Sequence, residues 1–175
     1  MTRLYQYWPA GAVFILLCFF GPLAIDFGSG APLTLQSFFL CLLLLLEPKR
    51  SWIFVLAYLL LGALGLPIFS KYEGGWEKLT GPTFGFFVGF LLASVMALLL
   101  KKWDSTCSWN AFYKSLIWHG VILFCGFSVL FKKGMPLEKL TILFFELAPG
   151  IILKSVVAAV IFILWTRYNF KRQNL

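Results

Sequence analysis

Residues 79–100 read LTGPTFGFFVGFLLASVMALLL, 22 positions without a charge. A helix rises about 1.5 Å per residue, so about 20 residues carry it across a hydrocarbon core about 30 Å thick. The run is therefore read as a membrane span, with Pro82 near its start, where a helix tolerates a missing N–H. Working outward, residues 4–25, 27–46, 51–70 and 115–131 form uncharged runs of 22, 20, 20 and 17. A sixth stretch, 147–166, is apolar except for Lys154. Backbone polar groups inside lipid must be satisfied within the segment, which helices do. Runs this long and uniformly apolar lack the alternation of a barrel strand. The expectation is an all-α integral membrane protein with six transmembrane helices, roughly 9–26, 33–46, 52–69, 82–100, 113–131 and 147–166, in a single domain over 1–175.

Composition agrees with lipid as the main solvent. Hydrophobic residues make up 61% of the chain and charged residues 13%, against about 45–50% and about 25% in ordinary chains. So little charge cannot cover a water-facing surface, and so much apolar surface excludes disorder. The four cysteines, Cys18, Cys41, Cys107 and Cys125, have no paired spacing, which argues against a disulfide scaffold. In the first segment Arg3 precedes an apolar run and Gly28-Ser29-Gly30-Ala31 is a small-residue patch, so a signal peptide is the rival reading. The run exceeds the 7–15 residues of a typical signal core, which favours an uncleaved first helix.

The net charge of +8 orients the chain. With both termini in the cytoplasm the inner side holds nine cations, Arg3, Lys49, Arg50, Lys101, Lys102, Lys114, Arg167, Lys171 and Arg172. The outer side holds five, Lys71, Lys78, Lys132, Lys133 and Lys139. The excess of Lys and Arg belongs inside. The outer loops are then 26–31, 70–81 and 132 to about 140, and the middle one, with Gly74-Gly75-Trp76, is read as a lid. Trp8, Trp52, Trp103, Trp109 and Trp165 lie near span ends, where aromatic belts anchor. No basic run is interleaved with aromatics, which argues against nucleic-acid binding.

The chain holds no P-loop, no paired His motif and no Cys-x-x-Cys, so it has no ATP site of its own, and no cofactor is expected. Asp26, Glu146 and His119 fall on separate helices, which argues against an enzyme needing convergent acids or histidines. His119, the only histidine, reads either as a packing group bonded to a neighbouring carbonyl or as a ligand or proton-relay group. Gly81, Gly85, Gly89, Ala93 and Ala97 recur every four residues and form a small-residue stripe. It either packs another helix of the chain or docks another subunit.

Lys154 stands out first. An intramembrane lysine costs roughly 2.5–3.5 kcal/mol on insertion scales. It either snorkels to the outer interface or holds an anionic or carbonyl-bearing ligand. The run places it about one turn into the sixth helix, just past Pro149-Gly150, with the amide of Gln36 at the same depth in the second helix. An apolar cavity with a few placed polar groups is the usual form of a small-molecule site.

Three motifs in sequence order carry a resemblance: Pro32-Leu33-Thr34-Leu35-Gln36-Ser37, the stretch from Tyr58 through Gly65-Leu66-Pro67-Ile68-Phe69, and Gly74-Gly75 followed by Gly81-Pro82-Thr83-Phe84-Gly85-Phe86. Together with Pro149-Gly150-Ile151-Ile152-Leu153-Lys154 they resemble the BioY family, the biotin-specific substrate-binding (S) components of energy-coupling factor (ECF) transporters. The family patterns are Pro-x-Thr-Leu-Gln-Thr, Gly-Pro-Thr-x-Gly-Tyr and Pro-Gly-Asp-x-x-Lys. Here Ile151 replaces the acid and Phe86 the tyrosine, so an acceptor for ureido N–H groups is lost at 151, and Glu146 is a candidate substitute for it. The resemblance implies an S-component fold, biotin as transported ligand, and Gln36, Tyr58, Phe69, Gly74, Gly75, Trp76, Thr83 and Lys154 as substrate-binding residues. It also implies a bacterial cytoplasmic membrane, a transmembrane coupling subunit and separate ATPases. An S component for another small vitamin and a solitary biotin transporter are the alternatives.

Overall fold

The computed structural model describes residues 8–26, 28, 31–100 and 108–173. In chain order its elements are α1 (Trp8–Phe20), the strands β1 (Ala24–Ile25) and β2 (Leu33–Thr34), α2 (Gln36–Leu46), α3 (Ser51–Ala63), α4 (Trp76–Thr80), α5 (Phe84–Leu99), α6 (Ser108–Lys132) and α7 (Leu137–Gln173). The strands pair antiparallel, Ala24 opposite Thr34 and Ile25 opposite Leu33, and close the link from α1 to α2. The six expected helices correspond to α1, α2, α3, α5, α6 and α7. Two of them, over Trp109–Lys132 and Leu137–Lys171, are long and apolar enough to cross a membrane. The other four are apolar but shorter.

Several helix ends differ from the expected ones, and backbone chemistry gives the reason. The first helix stops at Phe20 rather than near 26, because Gly21-Pro22 follows and Pro22 has no N–H to continue the ladder. The second starts at Gln36, since Leu33 and Thr34 belong to β2. The third ends at Ala63 rather than 69. There the Leu66 N–H reaches the Leu61 carbonyl at 3.2 Å and the Gly65 N–H that of Gly62 at 3.1 Å. This is a Schellman end, with Gly65 at φ 102° and Pro67 just beyond. Gly134-Met135-Pro136 ends α6 in the same way, with Met135 N–H to Leu130 O at 3.1 Å and Gly134 N–H to Phe131 O at 3.0 Å. The connection from α6 to α7 is accordingly only 133–136. α7 then runs from Leu137 straight through Pro149, so Lys154 lies 17 residues into that helix and not one turn from its start. Charge can end an apolar run without ending a helix, and α7 continues through Glu138, Lys139 and Glu146.

α2 forms the centre of the bundle, with Leu40, Cys41, Leu42, Leu43, Leu44 and Leu45 buried in succession. A helix apolar on every side belongs inside. Large apolar side chains on the outer helices, among them Phe19, Leu99, Phe124 and Phe145, face outward, as they do where lipid is the solvent. Trp8 and Trp165 meet edge to face at 6.2 Å; Trp103 lies outside the described residues.

The small-residue stripe is an internal seam. A Cβ on Gly85 would stand 2.3 Å from the Cys125 carbonyl oxygen, and one on Gly89 would stand 2.7 Å from Ile122 Cα. Ala93 and Ala97 are buried in the same core. The stripe therefore packs α5 on α6, and the subunit-docking reading of it is set aside. Gly81 lies before α5, at the end of α4, and does not take part.

Candidate functional site

The helix repeat turns one face of several helices toward a common space. Leu147, Ile151 and Lys154 recur at i, i+4 and i+7 on α7; His119, Ile122 and Leu123 do the same at i, i+3 and i+4 on α6; Phe86 and Phe90 lie one turn apart on α5. With Gln36 and Ser37 from α2, Leu33 and Thr34 from β2, Thr83 before α5, Lys78 from α4 and Ser70 from the segment before it, they line a cavity of about 690 Å³, counted with the open solvent at its mouth. Among the described residues the lining holds the cations Lys78 and Lys154 and no carboxylate.

Lys154 is 8% exposed, so it does not snorkel. Its Nζ donates to Ser37 Oγ at 3.2 Å, and its side chain borders the cavity. Gln36 is held from behind. Its Nε2 donates to the Tyr58 hydroxyl oxygen at 2.5 Å, the Tyr58 O–H donates to the Ile68 carbonyl at 2.6 Å, and the Thr34 hydroxyl donates to Gln36 Oε1 at 3.3 Å. A buried amide fixed at both ends presents one face to the cavity. Phe69 is fully buried and lies between Tyr58, at 5.6 Å edge to face, and Phe87, at 4.6 Å.

Residues 70–81 form a tethered flap rather than an open loop. A 3-10 turn covers Ser70–Tyr72, and α4 follows. The Lys71 N–H bonds the Pro22 carbonyl at 2.8 Å, and the Gly75 N–H bonds the Gly62 carbonyl at 2.7 Å. Lys133 Nζ reaches the Thr80 carbonyl at 3.3 Å. Lys71 also pairs with Asp26, and Lys78 with Glu73. The Lys71 ammonium, by hydrogen bond and charge, holds the Asp26 carboxyl below its usual range, and Asp26 raises Lys71 in return.

Of the residues expected from the sequence, Gln36, Thr83 and Lys154 share the cavity wall. Tyr58 and Phe69 stand behind it, and Gly74 and Gly75 lie in the flap against residues 62–66. Trp76 is 67% exposed on α4, away from the lining. Sequence reasoning missed Ser37, Phe87, Phe90 and Leu147 as wall residues. Ser37 had a signal, being the neighbour of Gln36 and the first hydroxyl within reach of Lys154. The phenylalanines had none, since Phe occurs throughout the spans. His119 takes the packing bond expected of it, with Nδ1 2.9 Å from the Ser115 carbonyl, yet its ring also borders the cavity.

The apolar helical bundle thus surrounds a cavity with two cations in its wall. The same fold occurs in a crystal structure described as the S-component for biotin from an ECF-type ABC transporter, which matches with a TM-score of 0.85 over 95% of this chain and 93% of that one, at 23% identity. The BioY family model matches residues 4–170, and the chain belongs to the BioY family. A relative named biotin transporter BioY, from Thermotoga maritima, is 36% identical over 138 residues, 74% of this chain and 78% of its own. A biotin transporter BioY from Rhizobium etli is 26% identical over 86% of this chain and 85% of its own. A probable biotin transporter BioY from Pyrococcus horikoshii is 40% identical over 49% of this chain and 54% of its own. The family is one of membrane transport proteins and not of enzymes.

Proposed function

We propose that this chain is the biotin-binding S component of an ECF transporter, capturing biotin at the outer face of a bacterial cytoplasmic membrane and releasing it inward. The observation that carries this is the buried Lys154 at the cavity wall, held by Ser37 and free of any lining carboxylate. A cation kept from water without an acid beside it leaves room for the acceptor of a ligand. Biotin supplies two such acceptors, its carboxylate and its ureido carbonyl. Its fused rings suit the Phe86, Phe87 and Phe90 wall.

The apolar helices α1, α2, α3, α5, α6 and α7 are the six crossings, with both termini cytoplasmic and the flap outside, as the Lys and Arg distribution favours. Gln36, Thr83 and Lys154 contact the ligand; Tyr58 and Phe69 hold the wall; Gly74, Gly75 and Trp76 belong to the flap that covers it. Energy comes from separate ATP-binding subunits through a transmembrane coupling subunit. The second reading is an S component for another small vitamin, favoured by Ile151 on the cavity wall, where the family pattern has an acid. The test is uptake of labelled biotin by biotin-requiring cells carrying the chain with and without coupling and ATPase subunits. The proposal expects uptake that depends on those subunits. Equal uptake without them makes the chain a solitary transporter, and no uptake in either case, with another vitamin entering, makes the second reading correct.

A further inference from the structure

Ile151 gives the cavity wall no hydrogen-bond acceptor, and the polar groups of the lining show where one stands. Gln36 Oε1 already accepts from Thr34, and Ser37 Oγ accepts from Lys154. Across from α7 stands His119, 2% exposed, in the middle of α6. Its Nδ1 lies 2.9 Å from the Ser115 carbonyl, 3.2 Å from Ser155 Oγ and 3.4 Å from Cys41 Sγ. A carbonyl only accepts, so the proton of the neutral ring sits on Nδ1 and Nε2 is left as a bare acceptor. Among the described residues the contact recorded for Nε2 is the Cys41 thiol at 3.9 Å, a weak donor at long range. His119 lines the cavity, and its Nδ1 edge is committed to α2, α6 and α7.

We infer that His119 Nε2 is the hydrogen-bond acceptor for a ligand N–H, a part that the apolar side chain of Ile151 cannot play from α7. The inference rests on the proposed function, and it divides the ligand's polar groups between two walls. Lys154 serves an acceptor of the ligand, and His119 serves a ureido donor. The ring is fixed in tautomer and orientation by Ser115 before ligand arrives, so Nε2 needs no reorganisation to accept. Asparagine at this position retains a donor near the place of Nδ1 and drops the distal nitrogen, whereas glutamine retains a polar atom near the place of Nε2.

The test compares equilibrium biotin binding by the purified parent, His119→Asn and His119→Gln, each confirmed folded by monodisperse size exclusion, with a ureido-N-methylated biotin as second ligand. A buried ligand N–H left without an acceptor weakens binding by roughly 5- to 100-fold. His119→Asn is expected to lose that much for biotin and far less for the methylated analogue, while His119→Gln stays closer to the parent. A measurement on the parent needs no variant. With one histidine in the chain, protein purified without a histidine tag and labelled with ¹⁵N in the ring gives two ring-nitrogen signals. Biotin should move the Nε2 signal upfield, as accepting a hydrogen bond does, and leave Nδ1 in place. Parent-like biotin binding by His119→Asn, or an unmoved Nε2 signal in the biotin-bound parent, overturns the assignment while leaving the biotin reading intact. A parent that binds no biotin overturns both.

Discussion

Lys154 Nζ stands 3.2 Å from Ser37 Oγ across 117 positions of sequence, and this single bond joins α7 to the first turn of α2 at the cavity wall. A lone hydroxyl satisfies one of the three ammonium donors. Under the proposed function the rest of the group's capacity goes to the ligand.

Lys154→Ala should therefore stay folded and lose biotin affinity by roughly 10- to 150-fold, the worth of a charge-assisted hydrogen bond of about 1.5–3 kcal/mol. Lys154→Arg should recover little, since a planar fork does not replace a point charge. Titration calorimetry on detergent-purified protein checks both. Parent-like affinity in the alanine variant would remove Lys154 from the site.

How far the sequence disclosed this site depended on how costly each residue is where it stands. Lys154 and Gln36 were legible because a cation or an amide in an apolar run needs a reason, and the fold brought them to one cavity. The helix ends were less legible: hydropathy scores Gly65-Leu66-Pro67 as apolar, yet a Schellman end stops α3 there. The phenylalanine wall was hidden among 20 phenylalanines. Trp76 carried a motif into the flap but not its side chain into the cavity, because which face of α4 turns inward is set by the tethers at both ends and not by the motif.

The α5–α6 seam gives a second prediction. Gly89→Leu places a branched side chain where even a Cβ would stand 2.7 Å from Ile122 Cα, and overpacking of that kind costs about 1–3 kcal/mol or more. The variant should express poorly and run as aggregate on size exclusion, with biotin binding lost together with the fold. A folded variant that binds biotin but fails to transport would restore the docking role of the stripe.

The flap supplies a third. If residues 70–81 close over ligand, amide exchange there should slow when biotin is added, while exchange in the α5–α6 seam stays unchanged. Equal exchange with and without ligand would mean that the flap is only structural.

Acid should loosen the same segment. Asp26 has a depressed carboxyl in the folded protein because it pairs with Lys71. Its contribution is present above the unfolded carboxylate value of about 3.9 and is lost as pH falls through the lower folded value. Protease cleavage in 70–81 should rise in that acid window, and Asp26→Asn should show the raised cleavage already at neutral pH. High salt should weaken the exposed pair as well. A flap equally resistant in parent and Asp26→Asn would assign its anchoring to the backbone bonds from Lys71 and Gly75 alone.

Topology can be read directly. In a background without native cysteines, cysteine at position 49 should react only with reagent that enters the cell, and cysteine at position 133 should react from outside. The reverse pattern would turn the cavity mouth toward the cytoplasm.

The most direct test of the central claim, that this cavity takes biotin through Lys154, is equilibrium binding of labelled biotin to the purified chain with Lys154→Ala measured beside it. The account predicts saturable binding of one biotin per chain, competed by unlabelled biotin, with the alanine variant folded and at least about tenfold weaker. Absence of saturable binding by the parent, or equal binding by the two proteins, would contradict it.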